Sequence, residues 1–276
     1  MSTNIEIRIL ESSTDMKLVQ LLEKEVWGAN PIPIHQTVTA VKNGGLMLGA
    51  FCDEELVGFS YSFAGFKQEQ SYLCSHMLGI HPNFQVKGIG AMLKEEQKRA
   101  AVKLGYKLIT WTFDPLESRN AYLNLSKLRA ICSTYVENCY GDMEDGLNTG
   151  LPSDRFQVEW WINSEHVINK AKSPNYTDSS SHCDWIITEQ GLPKLVSIEK
   201  FISEVADSES PILVPVPASF QEVKRKDPQL AIDWRMKSRE IFRILFESGY
   251  AAISLKKIED SPVHYYVLLK RNQLEL

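Results

Sequence analysis

The sequence predicts an α/β fold built on a mixed, mainly antiparallel sheet, with an α+β extension behind it. Three observations carry this. Period-2 apolar runs such as "NIEIRIL" read as strands and alternate with helical-period segments. Their order through residue 163 is strand, helix, helix, hairpin, strand, helix, strand, helix, strand, which is not the strict alternation of a doubly wound sheet. After a polar stretch, "ILVPVP", a long helix and two more strands follow. With 276 residues, 43% of them hydrophobic, the chain can bury one large core or a core plus an extension.

"NIEIRIL" is the first strand. "SSTDMKLVQLLEKEVWG" opens on Ser/Thr/Asp, spaces Leu18, Leu21, Leu22 and Val26 as a helix does, and stops at Gly28. "PIPIHQTVTAVKNGG" reads as a short helix between prolines and glycines. "LMLGAFCDEELVGFSYSFAGF" is two apolar runs around Asp53-Glu54-Glu55, a hairpin. "SYLCSHMLGI" is the next strand, broken by Pro82. A helix from about Gly88 puts Met92, Leu93, Ala100 and Leu104 on one face. "YKLITWTF" is a buried strand, "SRNAYLNLSKLRA" a short helix and "RFQVEWWIN" a closing strand. Around "NKAKSPNYTDSSSHC" apolar content falls, which predicts a loop or linker. The helix "PQLAIDWRMKSREIFRILFESG", followed by "YAAISLK" and "HYYVLLK", repeats in outline the helix and strands at 119 to 161. The division expected is 1–165, a 166–210 loop or linker segment, and a 211–276 extension that packs on the first part or lids it.

Charge and composition exclude several classes. A net charge of −5 without basic clusters gives no field for nucleic acid. No apolar stretch reaches the roughly 20 residues of a membrane span, and no secretory signal is visible. Five cysteines without CxxC spacing read as reduced thiols of a cytoplasmic protein, a monomer or homodimer. His76, His81 and Asp114 form no metal-binding spacing, so no metal is expected.

"QVKGIG" poses the functional question. A strand ends at Ile80, Pro82 breaks it, and a helix opens at Gly88. Glycines at 88 and 90 let a ligand reach the first-turn N–H groups with the helix dipole behind them, which makes an anion site. A Walker loop needs Lys-Ser/Thr after its last glycine, and here Ala91-Met92 follows. A dinucleotide fingerprint needs a third glycine where Leu93 stands.

What remains is Gln/Arg-x-x-Gly-x-Gly/Ala. Through it, and through "LGIHPNFQVKGIGAMLKEEQ" and "NAYLNLSKLRA", residues 5 to 162 resemble the GNAT acyltransferase superfamily. "SHMLGI", "TWTFDPL", "NAYLNLSKL", "YGDMEDGLN" and "SDRF" are similar to a bacterial subfamily of predicted acyltransferases. Some of its relatives are associated with N-acylation of amino acids, succinylation included. The resemblance implies the GNAT fold with splayed fourth and fifth strands. It also implies acetyl-CoA or another acyl-CoA as co-substrate, and direct attack by a small-molecule amine in a ternary complex.

The resemblance further implies that Leu78, Gly79 and Ile80 pair through their backbone with the pantetheine arm. The segment Gln85, Val86, Lys87, Gly88, Ile89 and Gly90 takes the pyrophosphate, Lys87 adding charge. Asn120 and Asn124, one helical turn apart, face the cofactor. Where many relatives carry a leaving-group tyrosine, this chain has Leu125, and Arg129 stands where glycine is usual. Tyr122 and Tyr135 lie near that place but out of register. His76 is the best titratable candidate for the base, with Asp114 as the other. Asp154 and Arg155 are candidates for gripping an amino-acid-like acceptor. Against each stands a structural role: core histidine, turn, helix cap, surface ion pair. Two rival functions are a non-catalytic acyl-CoA-binding regulatory module and a protein or peptide N-acetyltransferase.

Overall fold

In the computed structural model the described residues are 4–28, 30–85, 88–141, 150–169, 181–196, 198–205 and 209–276. They fall into two compact units, Met1–Trp111 and Thr112–Leu276.

The first unit runs β1 (Ile5–Ile9), α1 (Ser13–Trp27), α2 (Ile34–Lys42), β2 (Leu46–Cys52), β3 (Glu55–Lys67), β4 (Gln70–Ile80), α3 (Ile89–Lys103) and the start of β5 (Leu108–Phe113). Its strands are ordered β1-β2-β3-β4-β5; all neighbours are antiparallel except β4 and β5. Within this unit β4 and β5 share rungs only at Leu73↔Ile109 and Cys74↔Thr110, so the parallel pair opens early. The α/β, mainly antiparallel expectation holds.

Local chemistry explains the elements. Ser12 caps α1 reciprocally: its Oγ accepts from the Asp15 N–H at 3.1 Å, and Asp15 Oδ2 accepts from the Ser12 N–H at 2.9 Å. Both hairpins turn on two residues at positive φ, Asp53-Glu54 (48° and 67°) and Gln68-Glu69 (52° and 62°), the geometry that follows strand twist. Met16, Val19 and Leu22 of α1 pack with Met47, Phe51, Phe59 and Tyr61 of the sheet. The expected face of α1 is therefore shifted: Leu22 is inside, but Leu18 and Leu21 are exposed. On α3 the inward residues are Ile89, Leu93, Lys94, Gln97, Ala100 and Ala101, while Met92 and Leu104 face solvent. A lysine and a glutamine occupy core positions, which hides the face from a search for apolar spacing.

The second unit continues through α4 (Ser118–Ala121), which runs into a π-helical stretch Tyr122–Lys127. β6 (Ile131–Val136), β7 (Arg155–Trp161), α5 (Glu165–Ile168), β8 (Ser181–His182), β9 (Trp185–Ile187), β10 (Pro193–Leu195) and α6 (Glu199–Val205) follow. Then come β11 (Ile212–Pro217), α7 (Phe220–Lys226), α8 (Pro228–Glu247), β12 (Tyr250–Lys256) and β13 (Val263–Lys270). The strand order here is β7-β6-β12-β13-β11-β8, with β9 and β10 a separate pair.

β6 was not separated by the pattern reading, because "ICSTYV" follows a helical run without a glycine or proline between them. The segment 166–210, expected as loop or linker, holds short elements whose Leu192, Leu195, Phe201 and Val205 are buried. Helix–hairpin order recurs as anticipated, α4 before β6–β7 and α8 before β12–β13, and the two hairpins meet at Ala252↔Cys132. The unit is centred on Phe156, Phe242 and Tyr266, with ring centroids 4.7 to 5.4 Å apart.

Candidate functional site

The first unit supplies a strand end, a turn and a helix start. β4 pairs with β3 through Gly58↔Ile80, Phe59↔Gly79, Ser60↔Leu78 and Tyr61↔Met77, then skips to Ser62↔Ser75. His76 is the extra residue of this β-bulge, a feature that re-aims a side chain. Its ring lies against Tyr61 and Phe63, with centroids 6.1 and 5.6 Å away, and the residue keeps part of its surface open. Partial burial there lowers its pKa, so the imidazole is neutral at pH 7. Gly79 is a packing requirement: a Cβ would stand 2.6 Å from Phe59 Cε1 and 3.0 Å from Trp27 Cη2.

The chain leaves β4 through a 3₁₀ turn at Pro82–Phe84. Phe84 N–H donates to the His81 carbonyl at 2.8 Å, and Asn83 N–H to His81 Nδ1 at 3.2 Å. Gln85 is exposed at its end; Val86 and Lys87 lie outside the described residues. Gly88 is the N-cap of α3 at φ 73°, ψ 9°, a left-handed conformation that costs glycine nothing. Among the described residues, a Cβ at Gly88 would meet nothing within 4 Å. The Gly88 carbonyl accepts from Ala91 and Met92, and helix geometry leaves the N–H groups of Ile89 and Gly90 without an intrahelical acceptor. Gly90 packs on Ile80 and Leu78, its added Cβ falling 3.3 and 3.7 Å from their side chains. The structure thus brings Leu78, Ile80, Gly88, Ile89 and Gly90 together around open space at the positive end of a 15-residue helix.

Asp114, Asp154 and Arg155 lie in the second unit and form a buried ionic framework there. Asp114 Oδ1 accepts from the Leu116 N–H at 2.9 Å; its Oδ2 is 2.5 Å from Arg235 Nη2 and 3.9 Å from Arg155 Nη1. Asp154 is fully buried, and its two oxygens accept from Tyr135 Oη (2.7 Å), Asn138 N–H (2.9 Å) and the Arg239 fork (2.8 and 2.9 Å). Burial opposes the charge on Arg235, but Asp114 more than restores it. Burial and Asp154 raise the Tyr135 phenol, which keeps its proton at neutral pH. A surface ion pair is therefore the wrong picture of Asp154–Arg155, since both residues are buried.

On the π-helical stretch Tyr122 is half-buried with Lys257 Nζ 4.0 Å over its ring. Asn120 is exposed and Asn124 is buried, so the two do not share one face. Asn120 lies on α4 and Asn124 on the π-helical stretch, where Leu128 N–H bonds to the Leu123 carbonyl, five residues back.

Pattern reading missed the polar cluster under α3. Lys94 Nζ donates to Ser75 Oγ (2.8 Å) and Gln97 Oε1 (3.2 Å), and Gln97 Nε2 reaches the hydroxyls of Ser60, Ser62 and Ser75. The available signal was the spacing of 94, 97 and 101 on one helical face. It missed Arg235 and Arg239 as well; with Ser238 and Phe242 they mark one face of α8. Among the described residues no three His, Cys, Asp or Glu side chains are grouped to hold a metal ion, and no helix is long and apolar enough to cross a membrane.

Comparison with known proteins gives one family match and several structural likenesses. The model of the acetyltransferase (GNAT) family matches residues 15–124. No curated protein matches. Among solved structures, the ribosomal-protein-S18-alanine N-acetyltransferase of Escherichia coli is 16% identical, covering 58% of this chain and 94% of that one, TM-score 0.46. A GNAT acetyltransferase of Elizabethkingia anophelis with acetyl-CoA bound is 18% identical, covering 57% and 98%, TM-score 0.44. Naa50 of Arabidopsis thaliana, in complex with a bisubstrate analogue, is 13% identical, covering 56% and 97%, TM-score 0.45. The family match thus runs over residues 15–124, from α1 through the start of α3 to the π-helical stretch, and the structural likenesses are likenesses of fold.

Proposed function

We propose that this chain transfers an acetyl or other short acyl group, succinyl among the candidates, from coenzyme A to a small-molecule amine such as an amino acid. The observation that carries the reading is the left-handed Gly88 N-cap, with no described residue within 4 Å of an added Cβ and, behind it, helix-start N–H groups that helix geometry leaves without an intrahelical acceptor. That arrangement suits a pyrophosphate, and the acidic chain offers no general field to do the same work. Acyl-CoA, when bound, supplies the activated thioester carbonyl.

The chain's own residues then divide the work. The N–H groups of Ile89 and Gly90 hold the anionic end, and the backbone of Leu78 to Ile80 aligns the arm. His76, placed on the bulge and neutral at pH 7, accepts the proton of the attacking amine. Asp114 is the weaker candidate for that step, because both its oxygens are engaged by Leu116 N–H and Arg235. Gln85, Val86, Lys87, Asn120 and Asn124 are retained as proposed cofactor contacts, and Tyr122 as a proposed proton donor to the leaving thiolate. Asp154 and Arg155 support the second unit internally, so in this proposal they shape an acceptor site without gripping the acceptor themselves. The transferase region is proposed as 1–165 with the later segments added to it. The five unpaired thiols support a reducing, cytoplasmic setting.

Release of free coenzyme A thiol tests the proposal. Acyl-CoAs are screened against amines, including amino acids of both configurations. Amine-dependent release that falls at least about tenfold in His76→Ala supports it. Coenzyme A binding with no release for any small amine favours the regulatory module, and release only with peptides favours the peptide N-acetyltransferase.

A further inference from the structure

Lys94 occupies a core position and, among the described residues, has no counter-charge. It is 4% exposed, its Nζ is bonded to Ser75 and Gln97, and it stands 3.6 Å from the centroid of the Trp111 ring. Ser75 and Trp111 are the residues just past the last β4–β5 rung of this unit, Cys74↔Thr110. Among the described residues, the groups acting on it are the Cys74 thiol and Ser75 from β4, Trp111 from β5 and Gln97 from α3, and Gln97 in turn bonds Ser60 and Ser62 of β3. None is a carboxylate. Burial raises the Cys74 thiol, so it stays neutral at physiological pH, and Glu96 of α3 is bonded to Arg99 instead.

Burial lowers the Lys94 amine to about 7, with Cys74 pulling weakly the other way. Gly90 lies four residues earlier on the same helix, a rise of about 6 Å. An anion held at that helix start would therefore act on Lys94 through a low-dielectric interior, with little solvent screening.

We propose that Lys94 is a functional residue of the cofactor site: an anionic ligand seated at the N-terminus of α3 draws a proton onto Lys94, so acyl-CoA binding is coupled to proton uptake and leaves an ammonium at the foot of the β4–β5 opening. The proton comes from solvent and returns when the ligand leaves, so no co-reactant is consumed. The coupling rests on the coenzyme A reading of the cradle.

The test is titration calorimetry of the full chain with dephospho-CoA, whose pyrophosphate does not titrate near neutrality, in buffers of differing ionisation enthalpy. The expected result is uptake on the order of half a proton at pH 7.5, with Kd about tenfold weaker at pH 8.5 than at pH 6. In Lys94→Met the uptake disappears and Kd becomes flat over that range. Binding without uptake in the wild type, or the same uptake in Lys94→Met, overturns the coupling while leaving the cradle standing. No binding at all overturns the cradle and the coupling with it. Should Lys94→Met fail to fold, the lysine ¹³Cε resonances of the wild-type chain decide. One lysine titrating near neutrality whose midpoint rises on adding dephospho-CoA supports the proposal, and no such lysine refutes it.

Discussion

Replacing Gly88 by asparagine separates the cradle from the fold. Gly88 sits at φ 73°, so any L residue there meets left-handed strain of about 1–2 kcal/mol, more for a β-branched one and less for asparagine, which visits this region most readily. Valine would confuse lost binding with lost stability, and asparagine avoids that. No described residue lies within 4 Å of an added Cβ, so the side chain projects before Ile89 and Gly90 without disturbing any of them. The expected stability loss is under about 1 kcal/mol, a shift of no more than about 4 °C in Tm. Binding should suffer more. Displacing a charged ligand from helix-start N–H groups removes charge-assisted hydrogen bonds of about 1.5–3 kcal/mol. At about 1.4 kcal/mol per decade, this weakens coenzyme A by roughly 10- to 150-fold. Calorimetric titration with coenzyme A beside a thermal melt reads both quantities. A Gly88→Asn chain with native-like melting and a Kd within about threefold of wild type refutes the pyrophosphate cradle.

Three other perturbations have defined outcomes. Gly79→Ala drives a methyl into Phe59 and Trp27 and should cost about 1–3 kcal/mol by urea unfolding; a neutral result would mean those rings yield freely. Asp114→Asn leaves Arg235, 1% exposed, without its anion and should destabilise by about 3–5 kcal/mol; a loss below about 1 kcal/mol contradicts the buried-pair picture. Lys94, with a folded pKa of about 7 against 10.5 unfolded, binds fewer protons in the native chain than in the unfolded one between those values. Its presence should therefore destabilise most below pH 7 and progressively less as pH rises toward about 10. Melting Lys94→Met against wild type at pH 6 and pH 9 checks the sign: the variant's advantage must shrink at the higher pH.

Much of the first unit was legible because its signals are local. The Ser12–Asp15 capping box, the Pro82 break and the glycine pair at 88 and 90 each act within a few residues, and the structure places the helix start where those residues require it. Helix faces were harder. A search for apolar spacing picked Met92 and Leu104 and passed over Lys94 and Gln97, whose burial depends on hydroxyls supplied by strands 19 to 37 residues away. The stretch that holds Asn124 was hard for a similar reason: a π turn changes the helical period, and the residues alone do not announce it.

What the sequence by itself determined was the α/β arrangement, the position of the glycine-capped helix start and the exclusion of Walker and dinucleotide loops, because each depends on backbone preferences of neighbouring residues. Tertiary structure alone decided which charges are free to do chemistry. Asp114, Asp154 and Arg155 read as site candidates, and long-range folding brings Arg235 onto Asp114 and Arg239 onto Asp154, 121 and 85 residues along the chain. Lys94 belongs to no sequence pattern, and only the sheet packed against α3 buries it. An ionisable group's role is set by what shares its low-dielectric surroundings, and those neighbours come from strands and helices remote in sequence.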